Sequence, residues 1–215
     1  MTEADVIVVD YGLGNLFSVR RALEYCGAVV DVTSDVETIR LANRVILPGV
    51  GSFGYGMAEL RRHGFDEVLR EIAFRGTPLF CICLGMQMLL DESEEFGLTS
   101  GLGLIPGRVV PIPPLTADGK PQRVPHIGWN SLAMPLSRTT WSGTPLSGLN
   151  PGDAVYFVHS FMARPDDPEH RIADCLYGEV PVTAAIGNGN VFGCQFHPEK
   201  SGEIGLSMLR WFLRQ

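Results

Sequence analysis

The chain has no Cys-x-x-Cys pair, no run of lysine and arginine, and no apolar stretch of membrane-spanning length. Each absence removes a class of function. Five cysteines, an odd number without paired spacing, fit neither a small disulfide framework nor a zinc ribbon, so free thiols are expected. Seventeen Lys and Arg residues are scattered among twenty-four Asp and Glu for a net charge of −7. That pattern offers a nucleic acid no cationic footprint. The acidic start Met1-Thr2-Glu3-Ala4-Asp5 precedes only a short apolar run, Val6 to Val9. Such a run falls far short of a signal segment or a membrane span, so a cytoplasmic location is expected. The glycine-rich loop at 48–56 is followed by no Gly-Lys-Ser/Thr, and Tyr11-Gly12-Leu13-Gly14-Asn15 lacks the third glycine of a dinucleotide turn. Neither loop therefore announces a nucleotide, and no cofactor or metal is expected.

What is present is size and an α/β rhythm. The 215 residues at 45% hydrophobic content suffice for one domain with a buried core, spanning 1–215. Strand signals at 5–10, 29–33, 44–47 and 78–82 alternate with helical ones. The helices cover 16–26, a short segment to 40 capped by Ser34, and sequence after the 48–56 loop, interrupted at Gly64, as far as 74. Near-continuous apolar strands suit a mostly parallel sheet covered by helices on both faces. The second half differs. Short strands at 108–111, 123–132, 154–159, 171–176, 182–186 and 191–195 are separated by Pro, Gly and Asn turns and have antiparallel character. A helix over 202–213 closes the chain, and 111–120 is expected as an exposed loop.

Chemistry concentrates in three places. Pro78-Leu79-Phe80-Cys81-Ile82-Cys83-Leu84-Gly85-Met86-Gln87 runs from an apolar strand directly into a helix with Cys83 at the corner. A sharp strand-to-helix turn lifts one side chain clear of the sheet, and the first helical turn offers free N–H groups and a dipole that favours thiolate. Gly85 permits close helix-to-sheet approach, and Gln87 projects an amide from the first turn. Cys81 lies inside the strand and is expected to pack, as are Cys26, Cys175 and Cys194. In Gln195-Phe196-His197-Pro198-Glu199-Lys200, residues i and i+2 share a face, and proline limits the backbone between them. Glu199 thus orients the His197 ring and leaves its other nitrogen to take a thiol proton. His126 and His159 have no acid two residues on, and His63 and His170 belong to polar surroundings. The third place is the loop 48–56, where the Val50–Gly51 peptide and the Leu84 amide are candidates for an oxyanion site.

Blander readings exist for each piece. A cysteine in an apolar strand is most often inert core, and a loop histidine beside a glutamate is most often a solvated pair. A zinc site could be drawn from Cys81, Cys83, Cys194 and His197, but their spacing matches no finger or ribbon. A catalytically inactive binding or scaffold protein is the remaining alternative. The joint occurrence of elbow, base and orienter favours an enzyme.

Cys-x-Gly-x-Gln at the elbow with a distant His-Pro-Glu resembles the class I glutamine amidotransferases. Four further stretches, beginning at Asp10 (Asp-Tyr-Gly-Leu-Gly-Asn-Leu), Leu47 (Leu-Pro-Gly-Val-Gly-Ser-Phe-Gly), Pro125 (Pro-His-Ile-Gly-Trp-Asn) and Phe196 (Phe-His-Pro-Glu-Lys-Ser-Gly), are similar to the glutaminase subunits of imidazole glycerol phosphate synthases. The likeness spans nearly the whole chain. It implies a flavodoxin-like sheet with an attached smaller antiparallel sheet. The implied activity is glutamine hydrolysis by a Cys83-His197-Glu199 triad, with ammonia passed to a (β/α)8-barrel cyclase partner in histidine biosynthesis. By the same resemblance Gln87, Gly49 and Ser160 hold glutamine, while Lys200, Trp129, Asn15 and Tyr156 face the partner. Each of these residues could equally serve local packing or capping. Paralogous glutaminases of this type supply surface-sugar amidation, and the glutaminase motifs do not distinguish the two acceptors. One departure is Cys81, where the family usually has glycine, which places the packing beneath the elbow in question.

Overall fold

The computed structural model describes residues 4–215; Met1, Thr2 and Glu3 of the acidic start lie outside the described residues. The first half is a βα alternation: β1 (Val6–Val9), α1 (Leu16–Tyr25), β2 (Val30–Thr33), α2 (Val36–Leu41), β3 (Val45–Gly49), α3 (Phe53–Arg62), α4 (Phe65–Arg75), β4 (Leu79–Cys83) and α5 (Leu84–Met88). Short strands then dominate: β5 (Glu92–Ser93), β6 (Thr99–Ser100), β7 (Gly107–Pro111), β8 (His126–Ala133), β9 (Ala154–His159), β10 (Phe161–Pro165), β11 (Arg171–Tyr177), β12 (Val180–Asn188) and β13 (Val191–Cys194), followed by α6 (Gly202–Phe212).

A nine-stranded sheet runs β2-β1-β3-β4-β13-β12-β11-β8-β9. From β2 to β13 neighbours are parallel, and from β13 onward they are antiparallel. The expected antiparallel strands therefore mostly extend the main sheet. The separate smaller sheet is β10-β7-β5-β6. Strands β1, β3 and β4 are buried along their whole length, because helices cover both faces. One apolar cluster packs Leu47, Phe53, Met57, Phe65, Leu69 and Leu84 on one side of the sheet. The other packs Leu23, Ile46, Phe80, Phe157, Phe196 and Phe212 on the opposite side.

Several local expectations are corrected. Asp35, not Ser34, caps α2, accepting from Thr38 N–H at 2.8 Å, because its carboxylate reaches the orphan amide of the first turn. The 48–56 loop is shorter than its glycines suggest, since α3 already begins at Phe53. A Cβ at Gly56 would sit 3.0 Å from both Leu84 Cδ2 and Met88 Sδ, so this glycine serves close helix packing. The strands β5, β6 and β10 were not anticipated. Cys26 is half-buried at the end of α1, unlike Cys81, Cys175 and Cys194, which are buried; all five thiols are free. Among the described residues no helix is long and apolar enough to cross a membrane.

Candidate active site

Strand β4 ends and α5 begins at a single residue. Cys83 has φ 55° and ψ −110°, a backbone state that L-residues rarely enter and that strand-to-helix elbows impose. The turn is braced from beneath by glycines. A Cβ at Gly85 would collide with the Leu47 carbonyl oxygen, and one at Gly49 would lie 2.5 Å from the Tyr11 hydroxyl and 2.9 Å from the Gly85 nitrogen. Strand β3 and the first turn of α5 thus meet backbone to backbone. Gly49, expected to hold substrate, sits under the elbow in this contact. Cys81 is wholly buried, and its Cβ would stand 3.6 Å from a Cβ at Gly85. That thiol belongs to the apolar cluster with Leu47, Phe53 and Leu84, so Cys81 packs beneath the elbow as expected of a core residue.

The candidate base, His197, arrives from the neighbouring strand. Strand β13 pairs in parallel with β4, Cys194 opposite Ile82, and His197 follows shortly after. Its backbone is clamped to β9: His197 N–H donates to the Tyr156 carbonyl at 3.0 Å. Ser201 Oγ–H donates to the His197 carbonyl at 2.7 Å and Ser201 Oγ accepts from Tyr156 N–H at 3.0 Å. One 3-10 turn, Pro198–Lys200, then brings Glu199 Oε1 to 2.8 Å from His197 Nδ1. The two side chains are 3% and 1% exposed. A carboxylate only accepts, so Nδ1 carries the hydrogen. His197 Nε2 has no other side-chain or backbone partner and belongs to the cavity that Cys83 also lines. Burial pushes the imidazole pKa down, yet Cys83 and Glu199 outweigh it and raise it to about 9. At neutral pH the ring is therefore an imidazolium beside the sulfur.

Cys83 and His197 line one cavity of about 430 Å³, with Val50, Gly51, Leu84, Gln87, His159 and Ser160 in its wall. Its size suits an amino acid. A larger surface hollow of about 650 Å³ lies between α1 and α6, but it reaches neither Cys83 nor His197, and size alone does not make it the site. Gln87 is buried and donates from Nε2 to Gln195 Oε1 at 2.8 Å and to the Phe161 carbonyl at 3.2 Å. Ser160 accepts through its carbonyl from Ile112 N–H at 3.0 Å. Glu95 also lines the cavity and was missed in the sequence. Its Oε2 accepts from Phe53 N–H at 2.5 Å, at the start of α3. It sits in the acidic stretch from Asp91 to Glu95, which by composition looks like a solvated face.

His126 and His159 form a buried pair, Nδ1 of the first 3.0 Å from Nε2 of the second. His159 Nδ1 lies 2.9 Å from the Phe161 carbonyl. Burial lowers the pKa of His126 to about 4 and that of His159 to about 3, so both are neutral. Neither is held by a carboxylate as His197 is. His63 stacks on Phe65 and His170 is half-buried.

Of the residues expected to face a partner, three gather on one surface. Lys200 Nζ is 6.0 Å from the Tyr156 ring centroid, and Tyr156 meets Trp129 edge-on at 6.1 Å. The β8–β9 register sets Trp129 opposite Tyr156 and Ile127 opposite Val158. Trp129 and Ile127 are each 59% exposed. Asn15 has a local task, since its side chain caps α1 by accepting from Ser18 N–H at 3.4 Å. Among the described residues no group of three or more His, Cys, Asp and Glu side chains is placed to hold a metal ion.

Residues 7–215 match the family model described as glutamine amidotransferase class-I. The imidazole glycerol phosphate synthase subunit HisH 1 of Legionella pneumophila strain Lens is 48% identical over 211 residues, covering 98% of this chain and 99% of that protein. The HisH subunit of Geobacillus thermodenitrificans is 49% identical over 206 residues, covering 96% and 93%. Among solved structures, a glutamine amidotransferase superimposes with a TM-score of 0.71 at 20% identity, covering 97% of each chain. Taken with the elbow and the oriented imidazole, these relationships settle the family: the chain belongs to the class-I glutamine amidotransferases, within the group of HisH glutaminase subunits.

Proposed function

We propose that this enzyme, as one domain over 1–215, hydrolyses glutamine through Cys83, His197 and Glu199. It then hands ammonia to a barrel-type synthase subunit, in a cytoplasmic heterodimer of histidine biosynthesis. The observation that carries the reading is the convergence of a strained cysteine and a carboxylate-held imidazole on one amino-acid-sized cavity. The relatives quoted above bear the imidazole glycerol phosphate synthase name, which favours this pathway over surface-sugar amidation.

The steps follow from the groups. The Cys83 thiolate, paired with the His197 imidazolium, attacks the carboxamide carbon, and the S–C bond forms as the carbonyl becomes an oxyanion. The Leu84 amide and the Val50–Gly51 peptide, both at the cavity wall, are the candidates to receive that charge. His197 Nε2–H gives its proton to the departing nitrogen, and the C–N bond breaks to release ammonia. Water then attacks the thioester, its proton passing to the vacated imidazole nitrogen, and the C–S bond breaks to release glutamate and restore the thiolate–imidazolium pair. Glu199 holds the ring in one orientation through both halves and stabilises its charged form. Glu95 brings a negative charge to the cavity wall suited to the substrate ammonium, and Gln87 and Ser160 flank the same space.

The test is a glutamate-release assay on the chain alone and with a co-purified barrel-type cyclase, with and without the cyclase's own substrate. Glutaminase activity that rises with the complex and vanishes in Cys83→Ala is expected. Unchanged release in Cys83→Ala overturns the assignment of the nucleophile, and no release with any such partner overturns the pathway.

A further inference from the structure

Gln195 is wholly buried, a costly place for a carboxamide unless every polar atom is satisfied. Its two ends meet different partners. Oε1 lies 2.8 Å from Gln87 Nε2, and Nε2 lies 3.6 Å from Cys83 Sγ. A carboxamide can be turned end for end without changing its shape, so which atom faces the sulfur must be decided by the surrounding donors and acceptors.

The neighbours decide it. The Phe161 carbonyl can only accept, and it lies within reach of Gln87 Nε2 at 3.2 Å and His159 Nδ1 at 2.9 Å. Gln87 therefore presents its NH2 group at that point, and His159 carries its hydrogen on Nδ1. The second hydrogen of the same Gln87 NH2 needs an acceptor, which fixes Gln195 Oε1 toward it and turns Gln195 Nε2–H toward the sulfur. The histidine pair agrees with this arrangement. With His159 protonated on Nδ1, its Nε2 accepts from His126 Nδ1–H at 3.0 Å, and His126 Nε2 accepts from Asn130 Nδ2 at 3.4 Å. Asn130 Nδ2 spends its other hydrogen on the Leu176 carbonyl at 2.9 Å. One consistent set of hydrogens runs from β8 to the nucleophile.

We propose that Gln195 is a positioning residue for the nucleophile: its side-chain N–H, locked by Gln87 and the Phe161 carbonyl, donates to the Cys83 sulfur, fixing its rotamer and favouring thiolate. This rests on the reading of Cys83 as nucleophile. A donor aimed at sulfur strengthens as the sulfur gains charge, and it approaches from β13 while His197 comes from the segment beyond. The other ionisable groups around the sulfur are Tyr11 after β1, Cys81 on β4, Cys194 on β13, Glu199 behind the His197 ring, and Glu95 and His159 in the cavity wall. None of them supplies a second carboxamide donor.

The experiment is the pH dependence of Cys83 alkylation by iodoacetamide, followed by mass spectrometry of the Cys83 peptide so that the other thiols do not contribute. Gln195→Met keeps the length and removes the donor; Gln195→Glu keeps the Gln87 contact and sets an acceptor against the sulfur. Both are expected to move the alkylation midpoint upward by about one pH unit or more, the scale of one lost hydrogen bond to a charged group. Packing loss alone would leave that midpoint in place. A midpoint unchanged in both variants overturns the role of Gln195, while Cys83→Ala retaining full glutaminase activity would instead overturn the site itself. Should neither variant fold, the wild-type protein decides: the Gln195 side-chain amide resonance is expected to shift with the Cys83 ionisation, and a signal that stays fixed through it refutes the contact.

Discussion

The backbone of Cys83 makes an unusual demand on a substitution there. At φ 55°, ψ −110° a residue with a Cβ carries strain of about 1–3 kcal/mol, and glycine carries almost none. Replacing Cys83 by Ala or by Gly removes the sulfur in both cases, so the two variants lose the same thiol contacts and should both be inactive. They differ in the Cβ. Gly gives up about 0.4–1 kcal/mol through the freedom of its unfolded chain, and it recovers the strain. The Cys83→Gly protein is therefore expected to be the more stable of the two by about 1–2 kcal/mol, combining these terms. In a chain of this length that is roughly 2–8 °C in Tm. The order is the reverse of that in an ordinary helix or strand, where Ala exceeds Gly by about 0.5–1 kcal/mol. Thermal and urea unfolding of the two variants side by side would measure it. An Ala variant equal to or more stable than the Gly variant would show that the elbow stores no strain.

Gly85→Ala should unfold more easily by about 1–3 kcal/mol, because its new methyl group meets the Leu47 carbonyl and no side chain can move aside; wild-type stability would contradict the close contact of β3 with α5. The buried histidines make the fold acid-sensitive. His126 and His159, lowered by burial to about 4 and 3, take up protons near pH 6.5 only when unfolded. Their contribution is complete above pH 6.5 and is lost as pH falls toward the folded values, on the order of a few kcal/mol for the pair. His197, raised to about 9, acts in the opposite direction, contributing below pH 6.5 and losing its share as pH climbs through 9. Denaturant midpoints from pH 4 to 9 should thus fall at both ends, and His126→Gln should flatten the acid limb; an acid limb unchanged in that variant would remove the histidine pair as its cause.

The parallel half of the sheet was legible because its strands are uninterrupted apolar runs separated by helices with recognisable ends. The elbow was legible for the same reason, since strand and helix signals abut at Cys83. His197 and Glu199 could be paired because their relation is local. Strand β10 carries Phe-Met-Ala-Arg-Pro, too brief and too mixed to signal a strand without β7 beside it. The onset of α3 was hidden by glycines whose purpose is a neighbour, Leu84 or Met88, far along the chain. Glu95 and Gln195 were silent for a related reason. A glutamate among acids and a glutamine just past a strand acquire meaning only when β13, the β9–β10 corner and α5 are brought together.

The spacing of sulfur and imidazole is a property of two adjoining strands. Gln195 and Cys83 are separated by 112 positions of sequence, yet β4 and β13 are laddered side by side, so everything folded between them is a detour that leaves from one rung and returns to the next. Lengthening or pruning that detour changes what surrounds the cavity without altering the gap between the sulfur and the imidazole. The surroundings of the cavity can therefore be refitted while the proposed reactive pair stays where the ladder puts it.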